Sequence, residues 1–247
     1  MGRHDAGRGG GAQAWLAVSG VLPFRISAWA AWSNTAWAAW PEGNVADPAR
    51  PLPASLRRRV TATGRKALEA AWTVLAHAAA EPRLVLCSRH GEYERTLSIL
   101  ESLAEDGTVS PADFSLSVHH ALAGLLSIAT TNRAGHTAIA AGPDSLGFGL
   151  LEAAAAVAED GRPALLVYFD EPLSIIYGPL PGDVAGSIAL AMLLVPEGGE
   201  AMSLEMVAAE HRGAQAQAPE FLAFLASGEP ERRVAGERRE WRWRRAA

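Results

Sequence analysis

The run Gly142-Pro143-Asp144-Ser145-Leu146-Gly147 puts a serine between a β-rich stretch and an apolar, helix-forming one. A sharp strand-to-helix turn of this kind exposes a side chain over a helix N-terminus, where acyl-transfer nucleophiles stand. The hydrolase form of the turn reads Gly-x-Ser-x-Gly, and this one carries one residue too many. Ser145, Asp170 and His211 follow in the order of a hydrolase triad, but three such residues occur in some order in almost any chain of this length. Asp144 or Ser145 serves equally as a helix N-cap. Cys87, the single cysteine, ends the apolar run RLVLC and reads as a small core residue or as a thiol nucleophile. One cysteine excludes an internal disulfide and a Cys-rich zinc site.

The remaining polar candidates are scattered. His90, with Arg89 and Glu92, forms a cluster just after the RLVLC stretch. His119 and His120 are neighbours on a mostly apolar helix, so they point about 100° apart and cannot face one metal together. Asp170 and Glu171 are carboxylates at a strand end with no evident base beside them. No P-loop, dinucleotide fingerprint or HExxH motif appears, and no metal or cofactor is expected.

The elements that must position these groups are legible in the pattern. With 247 residues, 49% of them hydrophobic and 20% charged, the chain is long enough to bury about 72% of its unfolded surface as one domain. A net charge of −5 argues against a general nucleic-acid binder, which needs a basic face for phosphates. Residues 1–12 are polar and glycine-rich and read as a disordered tail. The apolar run that follows is interrupted by Gly20 and ended by Pro23, which argues against a signal peptide. The longest other apolar run, at 184–195, is too short to span a bilayer, so the expected location is cytoplasmic.

Residues 14–21 read as a first buried strand. Trp29, Trp32, Trp37 and Trp40 lie 3, 5 and 3 apart, close to helical spacing on one face. A helix is expected over 55–80, with the basic triplet Arg57, Arg58 and Arg59 near its start. Strands at 83–87, 136–140, 164–170 and 187–195 then alternate with helices at 93–105, 115–129 and 145–158. Ser110 and Asp113 are the candidate caps of the second of these helices. The alternation predicts an α/β layered domain with a mixed sheet. The helix at 145–158 is apolar on every side, with Gly147 and Gly149 allowing close approach, and is expected to be the most buried.

The segment 110–154, SPADFSLSVHHALAGLLSIATTNRAGHTAIAAGPDSLGFGLLEAA, resembles the middle of a β-ketoacyl synthase N-terminal half. The block CSRHGEYERT, 87–96, is more specifically similar to the short ketosynthase-like proteins of aryl polyene synthesis, which resemble chain-length factors. The similarity covers roughly residues 13–200, and implies one thiolase-like half-fold at 13–230, a five-stranded mixed sheet with helices on both faces, followed by an Arg/Trp-rich tail at 231–247. It places Ala141, to within one residue, where the family carries its catalytic cysteine. The family's two histidines and lysine belong to a C-terminal half that this chain does not match.

The resemblance therefore implies a non-catalytic subunit that pairs with a full-length β-ketoacyl synthase and meets an acyl carrier protein only indirectly. His136, Thr137, Ala138, Ile139 and Ala140 would form the strand at the dimer interface, and interior to the sheet. Phe114, Leu116, Val118 and His120 would reach the partner's acyl tunnel. The competing reading is an autonomous hydrolase or acyltransferase using Ser145 or Cys87. In the family the all-apolar helix lies between two stacked halves, so here the segment from His211 onward, or a partner, must cover it.

Overall fold

The computed structural model describes residues 20–33, 36–40, 52–178, 180–209 and 213–246. Its centre is set by two uninterrupted runs, β5 (Ala164–Asp170) and β6 (Ile188–Leu194), in which every residue is buried. Strands buried on both faces read as continuous apolar runs, and these two pair antiparallel. On one side β5 pairs in parallel with β3 (Arg83–Cys87), and β3 in parallel with β4 (His136–Ile139). On the other side β6 pairs with β1 (Val21–Ser33), and β1 with β7 (Glu200–Ala208). The sheet continues through β9 (Arg239–Arg245) to β8 (Glu231–Ala235), while β2 (Ala36–Trp40) pairs with β1 alone.

Among the described residues nine strands replace the expected five, in the order β4-β3-β5-β6-β1-β7-β9-β8 with β2 off the path. The extra strands β7 and β9 carry a plain two-residue alternation. Met202 and Leu204 of β7 and Trp241 and Trp243 of β9 face the core, with the polar Ser203 and Arg242 between them. Residues 231–235 and 239–245 of the expected tail are therefore strands of the sheet. Arg242 and Arg244, on its outer face, pair with Glu205, Glu231 and Glu240.

The tryptophan helix is also corrected. Trp29 faces Trp40 and Trp32 faces Trp37 across the β1–β2 pair. Spacings of 3, 5 and 3 are symmetric about residues 34 and 35, as a hairpin register requires. An offset of three in a strand turns Trp29 and Trp32 to opposite faces. Trp29 joins the core, and Trp32 takes the Lys66 ammonium over its ring at 5.6 Å. Of the first strand expected at 14–21, residues 14–19 lie outside the described residues, and the strand begins at Val21.

Helices cover both faces. Against one lie α1 (Ala54–Arg57), α2 (Ala62–Leu75) and α5 (Ala121–Thr130), packing Leu68, Leu122 and Leu126 onto Leu84, Leu86, Val167 and Leu193. The expected helix at 55–80 breaks at 58–61, where Thr61 restarts it by accepting from the Gly64 amide. The expected helix at 115–129 likewise divides into α4 (Pro111–Ser117), capped by Ser110, and α5. Against the other face lie α6 (Ser145–Asp160) and α7 (Gln217–Ser227). Half of α6 is buried, a share that α2 equals. Its cover is the chain's own: α7 and β9 close over it, with the Trp241 ring edge-on to Phe148 at 5.1 Å. A Cβ at Gly147 would stand 2.6 Å from the Trp241 ring, and one at Gly149 would stand 2.5 Å from Cys87 Sγ. Both glycines are spacing elements between layers.

Candidate functional site

Because β3, β4 and β5 run parallel, their C-terminal ends lie at one end of the sheet, and the sequence candidates gather there. Asp170 is 3% exposed and ends β5. Its carboxylate accepts from Ser88 Oγ at 3.1 Å, the Arg89 amide at 3.0 Å, the His90 amide at 3.2 Å and Tyr168 Oη at 2.6 Å. Burial raises the Asp170 carboxyl above its usual range, against the pull of those donors. His90 Nε2 stands 3.1 Å from Asp183 Oδ1, and His119 Nε2 stands 2.9 Å from the Ser88 carbonyl. His90 and Arg89, one cluster in the sequence, and Asp170, a separate candidate, form one network. Ser88 and Asp183 complete it and were missed, since nothing in local spacing joins positions so far apart in the chain.

Neither proposed nucleophile is placed for chemistry. Cys87 is fully buried at the end of β3, and burial, with the Asp170 charge added, pushes its thiol well above the ordinary value. A thiol held protonated and out of solvent does not attack. Ser145 is 1% exposed; its hydroxyl donates to the Gly142 carbonyl at 2.7 Å and accepts from the Ala141 amide at 3.0 Å. His211 lies outside the described residues. Asp144 occupies the N-cap position of α6 but does not cap it with its side chain. Instead Gln217 of α7 accepts from the Gly147 amide at 2.8 Å and donates to Asp144 at 2.9 Å.

Ala141 stands two residues past the end of β4 and enters the 3-10 turn Gly142–Asp144. β4 itself corrects the sequence reading. It is an edge strand, paired with β3 only, and His136 is exposed. His120 is exposed beside it, with the two imidazoles 6.0 Å apart. Among the described residues no three metal-ligating side chains converge.

Nearby, the segment α3 (Tyr93–Asp106) and α4 buries no residue at all. Phe114 is 61% exposed and Val118 40%, while Leu116 is half-buried against the chain's own core. Nine of the eleven large apolar residues exposed among the described residues belong to this segment or to the β5–β6 connection.

The model for the N-terminal domain of β-ketoacyl synthases matches residues 29–244. The chain belongs to that family. A chain from the structure of a ketosynthase in complex with its chain length factor, from Xenorhabdus doucetiae, superposes with a TM-score of 0.77 at 26% identity. That match covers 91% of this chain and 100% of the other. A chain from the structure of a type II polyketide synthase acyl carrier protein in complex with its ketosynthase, bound to the hexaketide, superposes with a TM-score of 0.56. This match holds at 14% identity over 84% of this chain and 76% of that one, and shows the fold alone. No curated protein matches the chain at the sequence level. The fold is therefore the thiolase-like half expected. In this β-ketoacyl synthase N-terminal domain the turn after β4 carries Ala141, and the chain's one thiol lies beneath the sheet's end at Cys87, walled in by α6. Among the described residues no helix is long and apolar enough to cross a membrane.

Proposed function

We propose that the chain is a non-catalytic, chain-length-factor-like subunit that pairs with a full-length β-ketoacyl synthase and shapes its acyl tunnel in polyketide or fatty-acid-type synthesis of the aryl polyene kind. The observation that carries this is the open edge of β4, with His120 at 6.0 Å from its His136, together with the exposed apolar residues on α3 and α4. An unpaired strand edge is a template for another chain. The superposition over the whole of a chain from a ketosynthase–chain length factor complex supports the same partner.

In this reading His136, Thr137, Ala138, Ile139 and Ala140 pair with the partner, which supplies the cysteine and the acid–base histidines. Ala141 offers a methyl group where condensation needs a nucleophile. Phe114, Leu116, Val118 and His120 close the far end of the partner's tunnel, where an apolar wall discriminates by about 1–3 kcal/mol per methylene. The acyl carrier protein delivers its chains to the partner and meets this subunit only through the complex. The autonomous hydrolase or acyltransferase has no support from Ser145 or Cys87, which are both out of reach of substrate.

The test is co-expression with the full-length β-ketoacyl synthase encoded nearest to this chain, followed by size exclusion and mass spectrometry of carrier-bound products. Ala138→Glu is expected to abolish the complex, and Phe114→Ala to lengthen the products with the complex intact. A wild-type chain that does not co-purify, or product lengths indifferent to Phe114→Ala, overturns the chain-length role.

A further inference from the structure

In the block Ser88-Arg89-His90-Gly91-Glu92-Tyr93, Glu92 turns away to accept from Thr61, while Ser88, Arg89, His90 and Tyr93 serve the connection between β5 and β6. Ser88 Oγ and the Arg89 and His90 amides hold Asp170, where that connection leaves the sheet. At its far side, the Arg89 guanidinium pairs with Asp183 at 2.7 Å and donates to the Pro181 carbonyl at 2.9 Å, and His90 also meets Asp183. Asp183 in turn accepts from the Leu180 amide at 3.0 Å. In the middle, Tyr93 Oη accepts from the Ser174 amide at 3.1 Å, and its ring lies edge-on to Tyr177 at 6.0 Å. The connection is pinned before, at and after its tip.

What it presents is apolar. Ile175 is 94% exposed and Ile176 69%, and with Tyr177 they form a single 3-10 turn. A lone exposed isoleucine needs no explanation. Two in succession beside an exposed tyrosine, on a turn held on both flanks by polar bonds, have the character of a binding anchor, because a pre-arranged tip loses little entropy on docking.

We propose that Ile175, Ile176 and Tyr177 form a docking tip that seats in an apolar pocket of the partner β-ketoacyl synthase, with Arg89, His90 and Asp183 as its positioning residues. This rests on the heterodimer reading above. The partner synthase is the occupant because the tip is continuous with the face assigned to it. A Cβ at Gly182 would meet Pro143, in the turn after β4, at 2.8 Å, and Tyr93, which holds the tip, opens the exposed α3–α4 arm.

The test measures affinity between the purified chain and the same full-length synthase, alongside thermal melting of the free chain. Ile175→Asp/Ile176→Asp is expected to weaken binding roughly tenfold or more, as loss of an anchor does, with the melting temperature unchanged. Asp183→Asn is expected to speed hydrogen exchange at 174–178 and to weaken binding several-fold. Its effect should disappear when combined with the double isoleucine variant, because a positioning residue matters only while there is a tip to position. Unchanged affinity in the isoleucine variant, while Ala138→Glu still abolishes the complex, overturns the docking tip and leaves the heterodimer standing. A tip variant that changes only self-association of this chain identifies a second copy as the occupant and also overturns the proposal. A wild-type chain with no affinity for the synthase overturns both.

Discussion

The Trp241 indole donates to Asp144 Oδ1 at 2.9 Å, joining the last strand of the sheet to the turn that opens α6. The same carboxylate accepts from Gln217 of α7 and from the Glu237 amide, so one buried aspartate fastens the C-terminal segment over the helix it covers. Trp241→Phe keeps most of the packing but leaves a buried acceptor short of a donor. The expected cost is about 1–3 kcal/mol by chemical denaturation, with an unchanged denaturant slope. A cost near zero would mean the aspartate does not fasten the segment.

Gly149 touches Cys87 so closely that even a methyl group displaces something: its Cβ would also lie 3.1 Å from Leu166 Cδ1. Gly149→Ala gains about 1 kcal/mol of helix propensity and meets an overpacking cost of about 1–3 kcal/mol. A net loss of stability is expected, partly recovered when Cys87→Ala is added. Additive effects in that double-mutant cycle would show that the two side chains do not meet.

Cys87 should resist alkylation in the folded chain, since its thiol is buried and held above its ordinary value. Iodoacetamide at neutral pH is expected to label the chain only in denaturant, as read by intact mass. Rapid stoichiometric labelling of native protein would place the thiol in reach of solvent after all.

Glu231 accepts from Arg244 and Arg233, and these bonds hold its carboxyl down to about 2. A depressed folded value means that its contribution is complete above the unfolded value of 4.5 and fades as pH falls toward about 2. Glu231→Gln should therefore lower the melting temperature at pH 7, with the gap to wild type narrowing across that window. A gap that stays constant down to pH 2 would remove the carboxylate as its source.

The sequence by itself determined the α/β class, the buried runs at β5 and β6, and the turn of Ala141 before an apolar helix. Each is written in adjacent residues: continuous apolar stretches, a Gly-Pro-Asp turn, and glycines on a helix otherwise apolar. The alternation at Met202, Leu204, Trp241 and Trp243 was equally local, although a chain tail rich in arginine conceals it.

Only the tertiary structure decided the rest. The tryptophans at 29, 32, 37 and 40 fit both a helix and a hairpin, and alanine between them favours the helix. Pairing of β1 with β6 and β7 selects the strand, because sheet neighbours override local propensity. That β4 stands at an edge depends on which strands lie beside it, and no residue within β4 records that. The network of Ser88, Asp170 and Asp183 likewise exists because parallel strands bring their ends together. Local pattern specifies which face of an element is apolar; only the assembled sheet specifies which of those faces remain uncovered.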